Sequence, residues 1–195
     1  MPQFAEFGPA AAWLKRHPQV RCVDLLLADL MGIPRGKRVT AAELEGVHGS
    51  GLLLPGSMFA LDVLGGTVQS TGLGFDEGDA DRVCLPIAGT LVPVPWLDAD
   101  IAQMQVSMYE HDRTPFHGDP RHVLERVVAR FTALGLQPVM AVELEFYLVD
   151  RERTPEGHAQ PPRQPLTGRR EVKTQINSMQ ELDEYSAVLS AIAAA

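Results

Sequence analysis

The chain has 195 residues, 45% of them hydrophobic and 22% charged, and its formal net charge is −8. These values are typical of a globular protein with one or two domains, and the negative charge argues against nucleic acid or an anionic membrane surface as a partner. The apolar runs are too short to span a bilayer, and no basic start followed by an apolar stretch marks the N-terminus. We therefore expect a cytoplasmic protein with no membrane partner.

Cysteine and histidine often form catalytic or metal-binding sites, but their spacing in this sequence predicts no such site. Cys22 and Cys84 lie in apolar segments without a Cys-x-x-Cys pair, so we expect two reduced core thiols. The six histidines show no metal-ligand spacing. We interpret them as surface or structural residues.

The first part of the chain predicts a sheet-rich domain. A short amphipathic helix is predicted over residues 4–17 and a strand buried on both faces over residues 20–30. The Gly- and Pro-containing turn at 31–36 predicts a hairpin. The hairpin places Asp29 at a strand end with three basic residues just beyond it: Arg35, Lys37 and Arg38. Further elements are predicted as a short helix at 41–47 and strands at 82–85, 90–94 and 103–110.

The second part begins at a turn-rich junction, which predicts domains at 1–112 and 113–195. Asp119 as N-cap and Pro120 at the first helical position predict a helix that runs to Gly135. The segment 140–150, MAVELEFYLVD, has the β-branched and aromatic composition of a strand. A long surface loop at 153–170 is predicted next, and then one last helix. That helix begins with Ser178 and Glu181 as a capping box and carries an apolar face to the end of the chain.

Glu143 and Glu145 are the candidate metal ligands. On a strand they lie on the same face, roughly 6.5 to 7 Å apart, and two such carboxylates suit Mg²⁺ or Mn²⁺. Two other interpretations stay open. The pair can be a solvated face, or the nucleophile and acid of a glycoside hydrolase, although only 6% of the chain is aromatic.

Several segments in order resemble the glutamine synthetase superfamily, and within it the γ-glutamylputrescine (γ-glutamylpolyamine) synthetase branch. They are ADLMGIPRGKRV, GSMFALDVLGG, GLGFDEGDADRVCLPIAGTLVPVPW, AVELEFYLVD and EGHAQPPR. The resemblance implies an α+β protein with an N-terminal β-grasp domain. The truncated start of a catalytic domain follows it, in which helices accompany a curved antiparallel sheet. It covers less than half of a typical member.

The resemblance also implies an activity. Members use ATP and Mg²⁺ or Mn²⁺ to phosphorylate the side-chain carboxylate of L-glutamate, and a small amine such as putrescine or ammonia then displaces the phosphate. Glu143 and Glu145 match metal ligands of the family. Asp29 matches the aspartate that meets the amine in the adjacent subunit of a homo-oligomeric ring, although an ion pair with Arg35 or Lys37 is the alternative. Asp81 matches a further acid of that region.

Asn177 departs from the family pattern. In the segment Gln175-Ile176-Asn177-Ser178, relatives usually carry a tyrosine near the amine pocket, so the identity of the amine is open. The apolar end of the last helix predicts that the chain is the front part of a longer protein. We expect the parent to be a glutamate–amine ligase and the 195 residues alone to be inactive. The alternative is a non-catalytic assembly or binding module.

Overall fold

The computed structural model describes residues 4–170 and 176–195. The fold is mixed α+β, and the chain divides into two compact units, Met1–Pro138 and Val139–Ala195. Unit 1 therefore includes the helix that follows Asp119, beyond the boundary predicted at residue 112. That helix is fixed to the sheet of unit 1 by buried hydrogen bonds described below. The predicted domain boundary itself stays a prediction.

Unit 1 is built on one mixed sheet. Its strands are β1 (Cys22–Ala28), β2 (Pro34–Thr40), β3 (Leu52–Pro55), β4 (Asp81–Pro86), β5 (Val92–Pro93) and β6 (Ile101–Tyr109). The order is β2-β1-β6-β4-β3, with β5 also paired to β6. β1 is antiparallel to β2 and parallel to β6. Lys37 of β2 donates to the carbonyl of Leu53 in β3 at 3.4 Å, so the two edge strands of the sheet lie within reach of one lysine side chain.

The core of unit 1 lies on one face of β1. Val23, Leu25 and Leu27 are buried there, while the residues between them are only half-buried. The predicted hairpin is confirmed, but burial on both faces is wrong. The reason is that helices cover a single face of this strand, so its side chains alternate between the core and a wetter surface.

Two helices pack on this core. They are α1 (Phe7–Arg16) and α2 (Leu44–Ser50). α1 contributes Ala10, and α2 contributes Leu44 and Val47. Both were predicted, and both are short, so their burial rather than their intrinsic propensity stabilises them. Unit 1 also contains short 3₁₀ helices at Ala41–Glu43, Gly56–Ala60, Gln69–Thr71 and Phe75–Glu77.

Helix α3 (Pro120–Ala133) begins as the sequence predicts. The side chain of Asp119 accepts the backbone N–H of Arg121, and Pro120 occupies the first turn. Gly135 follows the helix with a φ of +71°, a conformation that glycine adopts at little cost. Several apolar side chains of α3 remain exposed, including Leu124 and Phe131.

Unit 2 differs most from the prediction. Residues 139–150 form no strand, and the described residues of this unit form no sheet. Its helices are α4 (Met179–Glu184) and α5 (Ser186–Ala194), where one last helix was predicted. The interruption lies at Tyr185, whose N–H bonds to both Asp183 and Glu181 carbonyls. Ser178 caps α4 by accepting the N–H of Glu181, as predicted.

The loop at residues 150–170 of unit 2 is held by local contacts. Arg170 forms an ion pair with Asp150 at 2.8 Å, and the N–H of Asp150 donates to the carbonyl of Gln160 at 2.9 Å. Leu166 donates its N–H to the buried carboxylate of Glu184. Among residues 4–170 and 176–195, no helix has the length and apolar character needed to cross a membrane.

Candidate functional site

Asp29 is a buried carboxylate at the tip of the β1–β2 hairpin. Its side chain is 1% exposed, although the neighbouring Leu30 and Met31 are more than half exposed. Oδ1 accepts the backbone N–H groups of Met31 and Ile33, both at 2.8 Å. Oδ2 accepts Nε–H of Arg35 at 2.9 Å. The hairpin tip therefore carries one solvent-shielded acid among exposed apolar side chains.

The local sequence explains why Asp29 adopts this arrangement. The N–H of Asp29 donates to the Ile33 carbonyl, and its own carbonyl accepts the N–H of Gly32. Gly32 has a φ of +74°, which a residue without Cβ tolerates best. An aspartate side chain that bonds the backbone two residues ahead is a common turn device. The register of β2 then brings Arg35 opposite Leu27, beside the acid.

The surroundings of Asp29 lower the pKa of its carboxyl. Burial acts to raise the pKa of this carboxyl, but the hydrogen bonds from Ile33, Arg35 and Met31, together with the charge of Arg35, hold it below its usual value. The predicted alternative, an ion pair, is present in the isolated chain with Arg35 and not with Lys37. Arg38, the third basic residue, pairs with Asp24 at 2.6 Å.

Glu143 and Glu145 are exposed and lie in a segment without regular structure. The prediction that a strand holds them on one face is wrong for this structure. A strand needs a neighbour to pair its backbone N–H and C=O groups, and the segment 139–149 has no partner strand among the described residues. Their role as ligands stays a prediction.

The two glutamates fit part of a metal site. Carboxylate oxygens are preferred by Mg²⁺ and Mn²⁺, so the donor chemistry is suitable. In the described ranges, however, no group of three or more His, Cys, Asp or Glu side chains is placed to hold a metal. Because such ions take about six ligands, the pair alone supplies only a fraction of a coordination shell.

Asp81 lies at the start of β4 with an exposed side chain. Its backbone carbonyl accepts from Nε2 of His111 at 3.0 Å, while its carboxylate has no hydrogen bond to a described residue. The next residue, Arg82, was not singled out by the sequence. Its guanidinium lies 4.1 Å from the ring centroid of Phe116 and pairs with Glu110.

Asn177 is exposed and has a φ of +54°, a conformation that asparagine tolerates better than most residues. It immediately precedes the Ser178 cap of α4. Gln175, the first residue of the predicted segment, lies outside the described residues. Asn177 lines a shallow groove of unit 2 whose other lining residues are Phe146, Leu148, Ser178, Glu181, Leu182, Tyr185 and Leu189.

The predicted site residues therefore fall into two sets. Asp29 and Asp81 belong to unit 1, and Glu143, Glu145 and Asn177 belong to unit 2. Sequence reasoning did not predict that Asp119 and His122, at the start of α3, are buried and hydrogen-bonded to the backbone of Met108 in β6. The only signal available was the spacing of an acid and a histidine in the first helical turn.

Comparisons with known proteins identify a family and several proteins to which the chain is similar. Residues 117–195 match the family described as glutamine synthetase, catalytic domain. The chain is 42% identical over 180 residues to gamma-glutamylputrescine synthetase PuuA of Escherichia coli, an alignment that covers 92% of this chain and 38% of that protein. It is 30% identical over 131 residues to the glutamine synthetase of Pyrococcus horikoshii, covering 67% and 26%.

A solved structure described as a novel glutamine synthase homolog is also similar. It superimposes with a TM-score of 0.52 at 28% identity, over 59% of this chain and 27% of that one. The chain thus spans about two fifths or less of the proteins that it matches. The predicted resemblance to the glutamine synthetase superfamily is confirmed.

Proposed function

We propose, since residues 117–195 belong to the glutamine synthetase catalytic-domain family, that the chain is the N-terminal part of an ATP-dependent glutamate–amine ligase. The observation that carries this proposal is the 42% identity to a gamma-glutamylputrescine synthetase across 92% of the chain. The substrates are L-glutamate, ATP and a small amine, of which putrescine or another polyamine is our first choice and ammonia the second. We place the reaction in the cytoplasm.

The proposed reaction has two steps. The side-chain carboxylate of glutamate attacks the γ-phosphorus of ATP, which gives γ-glutamyl phosphate and ADP. The neutral amine then attacks the acyl carbon, a proton leaves the nitrogen, and inorganic phosphate departs with the oxygen that bridged it. Phosphoryl transfer of this kind depends on positioning and on neutralisation of phosphate charge.

Asp29 serves the second step in this proposal. Its hydrogen bonds and Arg35 hold the pKa of this carboxyl below its usual value, which favours the anion that holds a cationic amine. The same carboxylate is proposed to help remove the proton of the amine, since only the neutral nitrogen is nucleophilic. The exposed Leu30 and Met31 beside it suit a hairpin tip that meets an adjacent subunit in a ring. Asp81 is proposed as a further substrate-binding acid.

Glu143 and Glu145 are the proposed holders of Mg²⁺ or Mn²⁺, together with ligands from outside this chain. Such ions neutralise phosphate oxygens during transfer. The exposure of both glutamates leaves their oxygens accessible. Asn177 is proposed to line the amine pocket, where a smaller polar side chain in place of tyrosine leaves more room for a long amine.

The β-grasp assignment of the N-terminal domain remains part of this proposal. It is supported by a mixed sheet whose first strand is parallel to β6 and antiparallel to β2, with a helix packed on one face. The catalytic domain would complete its curved sheet with segments that these 195 residues do not contain. A partner for residues 140–150 in such a sheet accounts for their apolar and aromatic composition.

The function is tested by an amine screen on the full-length protein that carries this chain. ADP release is measured with glutamate and ATP in the presence of ammonia, putrescine or longer polyamines, in the wild type and in Asn177→Tyr. We expect turnover that needs both glutamate and an amine, and we expect Asn177→Tyr to shift preference toward smaller amines. The isolated 195 residues should give no turnover. ADP release that ignores every amine would refute the ligase proposal.

The alternative is a non-catalytic assembly or binding module of the same family. The coverage of 38% of the Escherichia coli relative favours it if the chain acts alone. A pull-down of the chain against full-length subunits distinguishes the two, since a module binds the ring without adding glutamate-dependent turnover.

A further inference from the structure

The contact between Asp29 and Arg35 leaves most of the guanidinium free. Nε–H of Arg35 donates to Oδ2 of Asp29 at 2.9 Å. Its terminal nitrogens make no hydrogen bond to any residue within 4–170 or 176–195. The arginine side chain is 23% exposed, whereas that of Asp29 is 1% exposed. The arginine therefore contacts the acid through a single N–H group.

Only one lone pair of the Asp29 carboxylate remains available to another hydrogen-bond donor. Each carboxylate oxygen has two lone pairs. Oδ1 uses both, because it accepts the N–H groups of Met31 and Ile33 at 2.8 Å each. Oδ2 uses one for Arg35. A further N–H donor must therefore approach the second lone pair of Oδ2, beside the one that Arg35 occupies.

We propose that Arg35 is a positioning residue for the amine: because its Nε–H occupies one lone pair of Oδ2 of Asp29, the amine nitrogen is restricted to the other lone pair of that oxygen. This inference rests on the proposed function. Arg35 acts through Asp29 and does not itself bind the amine. Positioning of this kind matters because a small misplacement of a reacting group costs rate by about tenfold or more.

The chain offers variants that separate the hydrogen bond from the charge. In Arg35→Gln, the amide nitrogen is as many bonds from the backbone as Nε of arginine, so the donor is kept and the charge is lost. Arg35→Lys keeps the charge but moves the donor one atom further out. Arg35→Met removes both. Arg38→Met is the matched control, since Arg38 lies on the same strand and pairs with Asp24 instead.

The kinetic experiment uses the full-length protein and measures kcat/KM for the amine, together with KM for glutamate and for ATP. We expect kcat/KM for the amine to fall about tenfold or more in Arg35→Met and Arg35→Lys, and to stay within about threefold of wild type in Arg35→Gln and Arg38→Met. KM for glutamate and ATP should be unchanged. Equal losses in Arg35→Gln and Arg35→Met, or a matching rise in all three KM values, would overturn the inference.

A second measurement on the 195-residue chain is independent of catalysis. The side-chain carbon of Asp29 is followed by NMR as pH is lowered, in wild type and in Arg35→Met. Loss of the hydrogen bond and of the charge should raise the pKa of Asp29 in the variant. An unchanged titration would show that Arg35 does not hold the acid, whereas a full-length wild type that turns over no amine would instead refute the proposed function.

Discussion

The carboxylate of Asp119 accepts the backbone N–H of Met108 at 2.8 Å, and both groups are buried. The same side chain caps α3 through Arg121. His122, also buried, lies one helical turn on, with Nε2 at 2.9 Å from the Met108 carbonyl. The start of α3 is therefore bonded to both backbone groups of one residue in β6, which explains why this helix belongs to unit 1.

Replacing Asp119 should destabilise unit 1. Asp119→Ala removes an N-cap and leaves a buried N–H without a partner, for an expected loss of about 2 to 4 kcal/mol in the free energy of unfolding. Urea unfolding followed by circular dichroism measures the change. Asp98→Ala is the control, since Asp98 is exposed, and it should change stability by less than about 0.5 kcal/mol. Equal effects in the two variants would contradict the anchoring role.

Gly36 is required by the close approach of β2 to β1. A Cβ built on Gly36 would lie 1.7 Å from the Leu25 carbonyl oxygen, which is backbone and does not move aside. We expect Gly36→Ala to destabilise the chain by more than about 2 kcal/mol. Gly8→Ala in α1 is the matched control, because a Cβ there meets nothing within 4 Å. The control should be neutral or stabilising by up to about 1 kcal/mol.

Cys84 should resist thiol reagents. Its burial, together with Asp119 and Asp81, raises the pKa of the thiol to about 12, so almost no thiolate is present at pH 8. Cys22 is less buried and serves as the internal comparison. Mass spectrometry after treatment with iodoacetamide should find Cys22 modified first and Cys84 modified only on unfolding. Faster labelling of Cys84 in the folded chain would contradict its placement in the core.

Asp29 should contribute stability that depends on pH. Because the pKa of Asp29 is lower in the folded chain than in the unfolded one, the ionised form is favoured by folding. The contribution is complete above the ordinary carboxyl pKa and is lost as pH falls through the lowered value. We therefore expect the stability difference between wild type and Asp29→Asn to be larger at pH 7 than at pH 3. A constant difference would indicate that the carboxylate is not held by the hairpin.

Short-range signals predicted the parts of the fold that depend on neighbouring residues. The Asp119 cap, the Ser178 cap and the turn around Gly32 were all readable, because each is formed by side chains and backbone groups a few residues apart. The pairing of Asp29 with Arg35 was open among alternatives. The structure selects it because strand register, and not sequence distance, determines which basic residue faces the acid.

Longer-range features were less predictable. Composition indicated a strand at 140–150, but strand formation depends on a partner, and the described part of unit 2 has none to offer. The apolar periodicity of the last segment predicted a single helix. The structure instead has two helices, separated by a break at Tyr185. The same dependence on partners limits the candidate metal site, where Glu143 and Glu145 are chemically suitable ligands that lack the rest of a coordination shell.

We propose above that the full-length protein joins glutamate to an amine through an acyl phosphate. The most direct measurement supplies the full-length protein with glutamate labelled by ¹⁸O in its side-chain carboxylate, with ATP and putrescine. Mass spectrometry of the released phosphate should find one ¹⁸O atom for each γ-glutamyl amide formed, because that oxygen bridges carbon and phosphorus before it departs. Amide formation with unlabelled phosphate, or the absence of any glutamyl amide, would contradict the account.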